Sequence, residues 1–298
     1  MNIKCLSCHV LEAESKLSDG YHPRCARQLF GTTRAPEVPF RATDVTREAQ
    51  KMVGRMSISG VQPKLSVIHD PMKHQVLVVE RGGLYILKPQ TERFESIPEN
   101  ENLCMNIAST FGIEVPPHGL LPLLDGSLVY LVKRFDRLED GSKLQQEDFQ
   151  QLLQIDDKYD GSYERIANYI KEHSSVPGLD LIRLFERALL FYALGNGDAH
   201  LKNFSLLRSE EIGYQLSPAY DIVNSRLVLP EEQEEVGKDF FRLAEHFGLT
   251  RKQADNSLDR LHDLKSTIEA MTRGSLLRSD LREGFLGIFR DRMTGLFP

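Results

Sequence analysis

An α+β fold, with a β-rich first half and a helical second half, is predicted by three observations. Short runs of β-type residues separated by turn residues extend to about Lys133. Beyond Phe135 the apolar residues recur at helical spacing instead. A chain of 298 residues with 41% hydrophobic side chains also has the material for one large core or two modest ones, which suggests two lobes.

Taken in order, residues 1–31 stand apart, because Cys5-Leu-Ser-Cys8 is answered by His22-Pro-Arg-Cys25. The stretch Thr32–Phe40 carries Pro36 and Pro39 and no periodicity, and it reads as a linker. Strands are predicted at Leu65–Ile68, Val76–Val79 and Leu84–Lys88, with turns at Asp70-Pro71 and Gly82-Gly83. A helix starting near Ile97-Pro98 carries Leu103, Ile107, Ala108 and Phe111 on one face and stops at Gly112. Strands at Leu120–Leu124 and Ser127–Lys133 follow, joined at Asp125-Gly126. Helices are then predicted at Gln146–Leu153, Tyr163–His173, Leu179–Leu194, Phe240–Phe247, Arg251–Met271 and Arg278–Phe289. The predicted organisation is a Cys/His module over 1–31, a β-rich lobe over 32–138 and a helical lobe over 139–298, with the cleft between lobes as the default site.

Charge narrows the function. With 37 Lys+Arg against 43 Asp+Glu the net charge is −6, so no bulk positive field draws the chain to nucleic acid or anionic lipid, and direct binding to either is not expected. No apolar run approaches the roughly 18 residues of a membrane span, and Met1–Cys5 leads into no signal core. Four cysteines, three of them before residue 26, make no disulfide framework, and a reducing cytoplasm is the expected compartment. The acidic run Glu231–Glu235 reads as a solvated loop.

The chemistry concentrates in Asn196-Gly-Asp-Ala-His-Leu-Lys-Asn203, a loop after a long apolar helix. Phosphoryl transfer from ATP needs a carboxylate to take the acceptor hydroxyl's proton and an amide oxygen to hold Mg²⁺, and an Asp-x4-Asn loop supplies both. Asp198 and Asn203 have that spacing, and Asp221 fits a second Mg²⁺ ligand after the next hairpin. Asp and Asn also serve as plain turn and cap residues. Lys88, at the end of the alternating run Leu84–Lys88, falls where a kinase keeps the lysine that grips ATP phosphates. Gly60, before the first strand, would let backbone amides approach phosphates, although it is no Gly-rich motif. Phe135 closes an apolar strand in a hinge-like position from which it could pack on adenine.

The motifs SGVQPKL, YILKP, ENENLCM, LVKRFDR, QQEDF, GNGDAHLKNFSLL and LSPAYDIV occur in order, and over about residues 55–298 the chain resembles the HipA-like serine/threonine kinase toxins. The resemblance implies a bilobal protein-kinase-like fold and a toxin of a toxin–antitoxin system. Such a toxin phosphorylates a serine, typically of an aminoacyl-tRNA synthetase, and halts translation. It implies ATP and Mg²⁺ as cofactors, Asp198 as base, His200 as a further active-site residue, Asn203 and Asp221 as metal ligands and Lys88 as the phosphate lysine. Phe135 would meet adenine, Gln146 would lie on the ribose side and Tyr220 would precede the metal Asp. Ser57 matches the autophosphorylated serine, and Ser59 is a second candidate.

Only about fifty residues precede Ser57, fewer than in the long members of the family. The chain thus resembles the short HipT-type toxins of three-gene systems, in which a small antitoxin supplies the subdomain and a HipB-like DNA-binding protein completes the complex. Kinases of small molecules, or a pseudokinase acting through its partners, are the rival readings. Separately, Cys5, Cys8, His22 and Cys25 offer four ligands in two close pairs that could hold a structural Zn²⁺, although buried cysteines also serve as small apolar residues.

Overall fold

The computed structural model describes residues 2–53, 64–91, 94–138, 140–227 and 239–297. Ser57, Ser59, Gly60 and the run Glu231–Glu235 lie outside the described residues. Two units divide the chain. One comprises Met1–Asn106, Pro116–Ser142 and Arg273–Arg278, and the other Ile107–Val115, Lys143–Thr272 and Ser279–Pro298.

The first unit begins with a short antiparallel ribbon, β1 (Asn2–Lys4) and β2 (Leu11–Ala13), and two helices, α1 (Pro23–Phe30) and α2 (Ala42–Val53). Neither helix was expected from periodicity. Pro23 opens α1, where its fixed φ suits the first turn and its missing N–H has no partner to lose, and Gly31 closes it at φ 74°. Strands β3 (Leu65–Asp70), β4 (Gln75–Val78) and β5 (Tyr85–Lys88), helix α3 (Ile97–Phe111), and strands β6 (His118–Pro122) and β7 (Leu128–Lys133) follow close to expectation. The sheet order is β4-β3-β5-β7-β6, antiparallel throughout, with Lys88 opposite Tyr130.

Residues 1–31 share one core with this sheet: Cys5, Tyr21, Leu29 and Phe30 are buried in the same cluster as Leu65, Val67, Tyr85, Leu87 and Leu131. Tyr21 reaches across to donate to the Leu120 carbonyl at 2.6 Å. Gly119 permits that approach, since a Cβ there would lie 2.6 Å from the Tyr21 hydroxyl. The stretch expected as a linker is partly core as well, with Ala35 and Val38 buried and Glu37 bridging to Gln75 beside β4.

The second unit starts with a difference from the sequence reading. Gln146–Leu153 is not one helix: Gln146–Asp148 is strand β8, paired with a strand some sixty residues later, and only Phe149–Leu152 (α4) is helical. Asp148 marks the change by capping α4, accepting from the Gln151 N–H at 2.9 Å. Helices α5 (Tyr163–His173) and α6 (Pro177–Leu194), strands β9 (Ser205–Ser209) and β10 (Gly213–Leu216), and helix α7 (Phe240–Phe247) come next, with sheet order β10-β9-β8. The run Arg251–Met271, expected as one helix, is two: α8 (Arg251–Asp263) and α9 (Lys265–Gly274). Leu264 separates them with ψ −3°, away from helical values near −42°. Helix α10 (Ser279–Leu296) ends the chain.

Candidate active site

Helix α6 is buried along most of its length, and the loop it delivers is fixed at its base. Gly195 ends the helix at φ 69°, and a Cβ there would come within 2.7 Å of Ile288, so both conformation and space call for glycine. The next amides are gathered by a single hydroxyl: Ser225 Oγ accepts from Gly197 N at 2.9 Å and from Asp198 N at 3.2 Å. Ser225 is buried, so this anchor is dry, while the Asp198 carboxylate it presents is exposed. Tyr159 donates its hydroxyl to Asp198 Oδ1 at 2.8 Å and sets its ring edge-on to His200, centroids 5.3 Å apart.

His200 lies within the fields of both carboxylates. Burial, then the Lys158 charge, hold its pKa below the usual value, and Asp198 and Asp221 oppose that lowering. The His200 backbone N–H donates to Asn203 Oδ1 at 2.9 Å, so the buried amide is oriented from within the loop and its oxygen keeps a second lone pair. Asp221 sits at φ 56°, a left-handed conformation that Asp tolerates better than most residues and that is often retained at functional positions.

Polar contacts beneath the loop tie Asp221's neighbours to β8. Tyr220 donates to the Lys202 carbonyl at 2.9 Å and lies 3.2 Å from Ser205 Oγ, which accepts from Gln146 Nε2 at 3.0 Å and donates to Ser217 Oγ at 2.9 Å. Tyr220 and Gln146 therefore spend hydrogen bonds on the protein itself. Arg187 of α6 is fully buried, and its Nη2 donates to the Ser217 carbonyl. Burial pulls its guanidinium down to about 10.

In the first unit Lys88 is buried at the end of β5 and its Nζ lies 2.6 Å from Glu101 Oε1 on α3, with side-chain exposures of 8% and 1%. The ammonium also stands 5.6 Å over the Tyr130 ring. Phe135 follows β7 in a turn and is half-buried. The turn is braced by Asp136, which takes two bonds from Arg134 at 2.7–2.8 Å and one from Arg137 at 2.6 Å. Burial alone would raise the Asp136 pKa, yet the Arg134 hydrogen bonds and both guanidinium charges hold it below the usual carboxylate value.

The sequence matches the model of a family described as the HipA-like C-terminal domain over residues 56–268. The chain belongs to that family. A putative kinase of Haemophilus influenzae is 33% identical to this HipA-like chain over 257 residues, 72% of this chain and 74% of its own. A second putative kinase, from Sinorhizobium fredii, is 32% identical over 241 residues, 74% of this chain and 56% of its own. Among solved structures, HipA in the Shewanella oneidensis complex of HipA, HipB and operator DNA matches with TM-score 0.68 at 19% identity, covering 87% of this chain and 70% of that one. The Helicobacter pylori proinflammatory kinase CtkA matches with TM-score 0.50 at 16% identity, covering 71% and 86%. The α+β fold is therefore protein-kinase-like. No helix among the described residues is long and apolar enough to cross a membrane.

The six sequence-predicted residues of the second unit, Gln146, Asp198, His200, Asn203, Tyr220 and Asp221, all lie on β8, the loop after α6 or the strap after β10. In the HipA-like first unit, Lys88 ends β5 opposite Tyr130, and Phe135 lies in the turn after β7, past the Tyr85 end of the same strand pair. Four supporting residues were missed. Glu101 could have been found, because Asn100-Glu101-Asn102 interrupts the apolar pattern of α3 with three polar residues that are all buried. Tyr159, Ser225 and Arg187 carry no comparable signal in the sequence.

The Cys/His group forms a second candidate site. One ligand atom from each of Cys5, Cys8, His22 and Cys25 lies within 4.8 Å of all the others. Hydrogen bonds from Cys25 and Cys8 favour a thiolate at Cys5, and the same contacts push the Cys25 thiol up, as expected of sulfurs crowded around one position.

Proposed function

We propose that this HipA-like chain is a toxin kinase that moves the γ-phosphate of ATP to a serine hydroxyl of a translation protein, with an aminoacyl-tRNA synthetase as the expected class. The observation that carries this reading is the buried Lys88–Glu101 pair. A buried ion pair contributes little net stability over an apolar pair of similar volume, so a lysine fixed at a strand end by a carboxylate is better explained by an anion it must meet. A strand lysine paired with a helix glutamate is the arrangement a kinase requires around the ATP phosphates.

In this reading Lys88 grips those phosphates and Phe135 packs on the base. Asp198 accepts the serine proton as the serine oxygen bonds the γ-phosphorus and the β–γ bridging bond breaks, leaving ADP. The hard oxygens of Asn203 and Asp221 suit Mg²⁺, which would spread the phosphate charge. His200, kept neutral by burial, adds no competing cation. Phosphorylation at Ser57 or Ser59 would silence the enzyme by adding charge beside the Gly60 segment. The HipA complex with HipB and operator DNA supports a HipB-like DNA-binding partner for this chain, alongside a small antitoxin.

Mass spectrometry of wild type and Asp198→Asn after incubation with Mg-ATP tests the reading. Phosphate should appear on the peptide holding Ser57 and Ser59 in wild type, and the variant should be slower by about 10²–10⁴-fold. ATP turnover with no phosphorylated protein would instead indicate a small-molecule acceptor, and binding with no turnover a pseudokinase. Either result overturns the proposal.

A further inference from the structure

The loop between Cys5 and Cys8 touches the helix that carries Glu101. Leu6 and Ser7 fill this loop, closed by the His9 N–H donating to the Cys5 carbonyl at 2.9 Å. On one side the Leu6 carbonyl accepts from Leu120 N at 2.9 Å and Ser7 Oγ donates to the His118 carbonyl at 2.9 Å, both on β6. On the other, the Ser7 carbonyl receives two side-chain amides of α3, one turn apart: Asn102 Nδ2 at 3.1 Å and Asn106 Nδ2 at 2.7 Å. Asn102 Nδ2 also lies 2.7 Å from His9 Nε2. Asn102 directly follows Glu101.

The four ligand atoms are already placed for a metal. Zinc bonds of about 2.3 Å to sulfur and about 2.0–2.1 Å to nitrogen in a tetrahedron separate sulfur from nitrogen by about 3.6 Å. His22 Nδ1 lies 3.4 Å from Cys8 Sγ and 3.9 Å from Cys25 Sγ. The His22 backbone N–H points at Cys5 Sγ, 3.4 Å away, as a donor to a thiolate does. Cys5 and Cys25 are buried, and Cys25 sits in the first turn of α1, where the helix dipole favours a negative ligand.

We infer that Cys5, Cys8, His22 and Cys25 hold one Zn²⁺, and that this metal, by fixing the Cys5–Cys8 loop against Asn102 and Asn106, positions α3 and with it Glu101 beside Lys88. The zinc assignment is independent of the kinase reading, and only the value of the Lys88–Glu101 pair to catalysis rests on it. Zinc here is a support for the ATP-gripping lysine, located on the far end of a hydrogen-bonded chain from metal to loop to helix. Its removal loosens the helix first, while the second unit's own core remains.

The test uses the full chain and two readouts that need no phosphotransfer. Elemental analysis of protein purified without chelator should give one zinc per chain, and Cys8→Ala should give none. Hydrogen exchange over residues 97–106 should then quicken about tenfold or more once zinc is stripped under reducing conditions, return on adding Zn²⁺, and stay unchanged over α6. Because stripped protein or Cys8→Ala could lose more than α3, the variant Asn102→Ala/Asn106→Ala provides a zinc-loaded check. It should keep one zinc and still exchange faster over 97–106. A wild-type chain that neither contains nor takes up zinc overturns the site, and unchanged exchange over 97–106 in the double variant overturns the coupling. A chain that phosphorylates nothing overturns the kinase reading and leaves both of these results readable.

Discussion

Lys88 and Asp198 are oppositely charged, and the protein houses them in opposite ways. Lys88 is shut inside the first unit with a counterion at 2.6 Å and an aromatic face beside it. Asp198 stands in solvent, steered by one tyrosine hydroxyl and by a serine that holds its backbone rather than its carboxylate. In the proposed reading, Lys88 grips the same ligand in every turnover and can be locked in place beforehand. Asp198, read as the base, has to keep an oxygen available for an incoming hydroxyl.

The largest effect expected from that contrast is on stability. Lys88→Met leaves Glu101 buried without its cation and should cost about 3–5 kcal/mol in urea unfolding, whereas the exposed Asp198→Asn should cost less than about 0.5 kcal/mol. Adding Glu101→Met to Lys88→Met should restore most of the loss, because two apolar side chains replace a pair that had to be desolvated. Equal unfolding midpoints for Lys88→Met and Asp198→Asn would erase the contrast.

A second expectation concerns pH and again separates buried from exposed charge. His118 of β6 is buried against Tyr130, donates from Nδ1 to the Pro116 carbonyl at 2.9 Å, and burial drives its pKa down to about 4. The unfolded chain, with an ordinary histidine value near 6.5, binds this proton first as pH falls. Through His118, stability should be unaffected above about pH 6.5, decline from there to about pH 4 and level off below, a share of about 3 kcal/mol, and buried His9, also held down to about 4, adds to the same slope. His118→Gln should remove the His118 share of that slope, and a slope as steep in the variant as in the wild type would assign it elsewhere.

The smallest effect belongs to Tyr159, which stands largely in water. Tyr159→Phe removes one hydrogen bond to Asp198, worth about 0.5–1.5 kcal/mol, so the phosphotransfer rate should fall about threefold to tenfold with ATP affinity unchanged. A change in ATP affinity instead would mean that the tyrosine serves the nucleotide and not the base.

What the sequence disclosed depended on how local the cause was. Helix α5 and the three central strands follow from periodicity and turn residues within a dozen positions, and they lie where the pattern puts them. Gln146–Asp148 is polar and uninformative by itself, and its strand character comes from pairing with β9, which no local pattern reports. The break at Leu264 has neither glycine nor proline to announce it. The candidate site followed the same rule: Asp198 and Asn203 stand out because six consecutive residues hold both, while Glu101 was hidden because its partner arrives through a tertiary contact. The helix α1 escaped notice because His22-Pro-Arg-Cys25 reads first as ligand spacing, and the same residues open the helix.

The serine that gathers the Gly197 and Asp198 amides is 27 residues downstream of the carboxylate it presents, and the side chain that fills the space beside Gly195 comes from Ile288. A chain emerging from the ribosome thus displays the whole Asn196–Asn203 stretch well before it owns the parts that shape it. For an enzyme whose proposed target is the translation machinery, that order of manufacture would delay activity, since the loop takes its working form only once residues 225 and 288 have also been made.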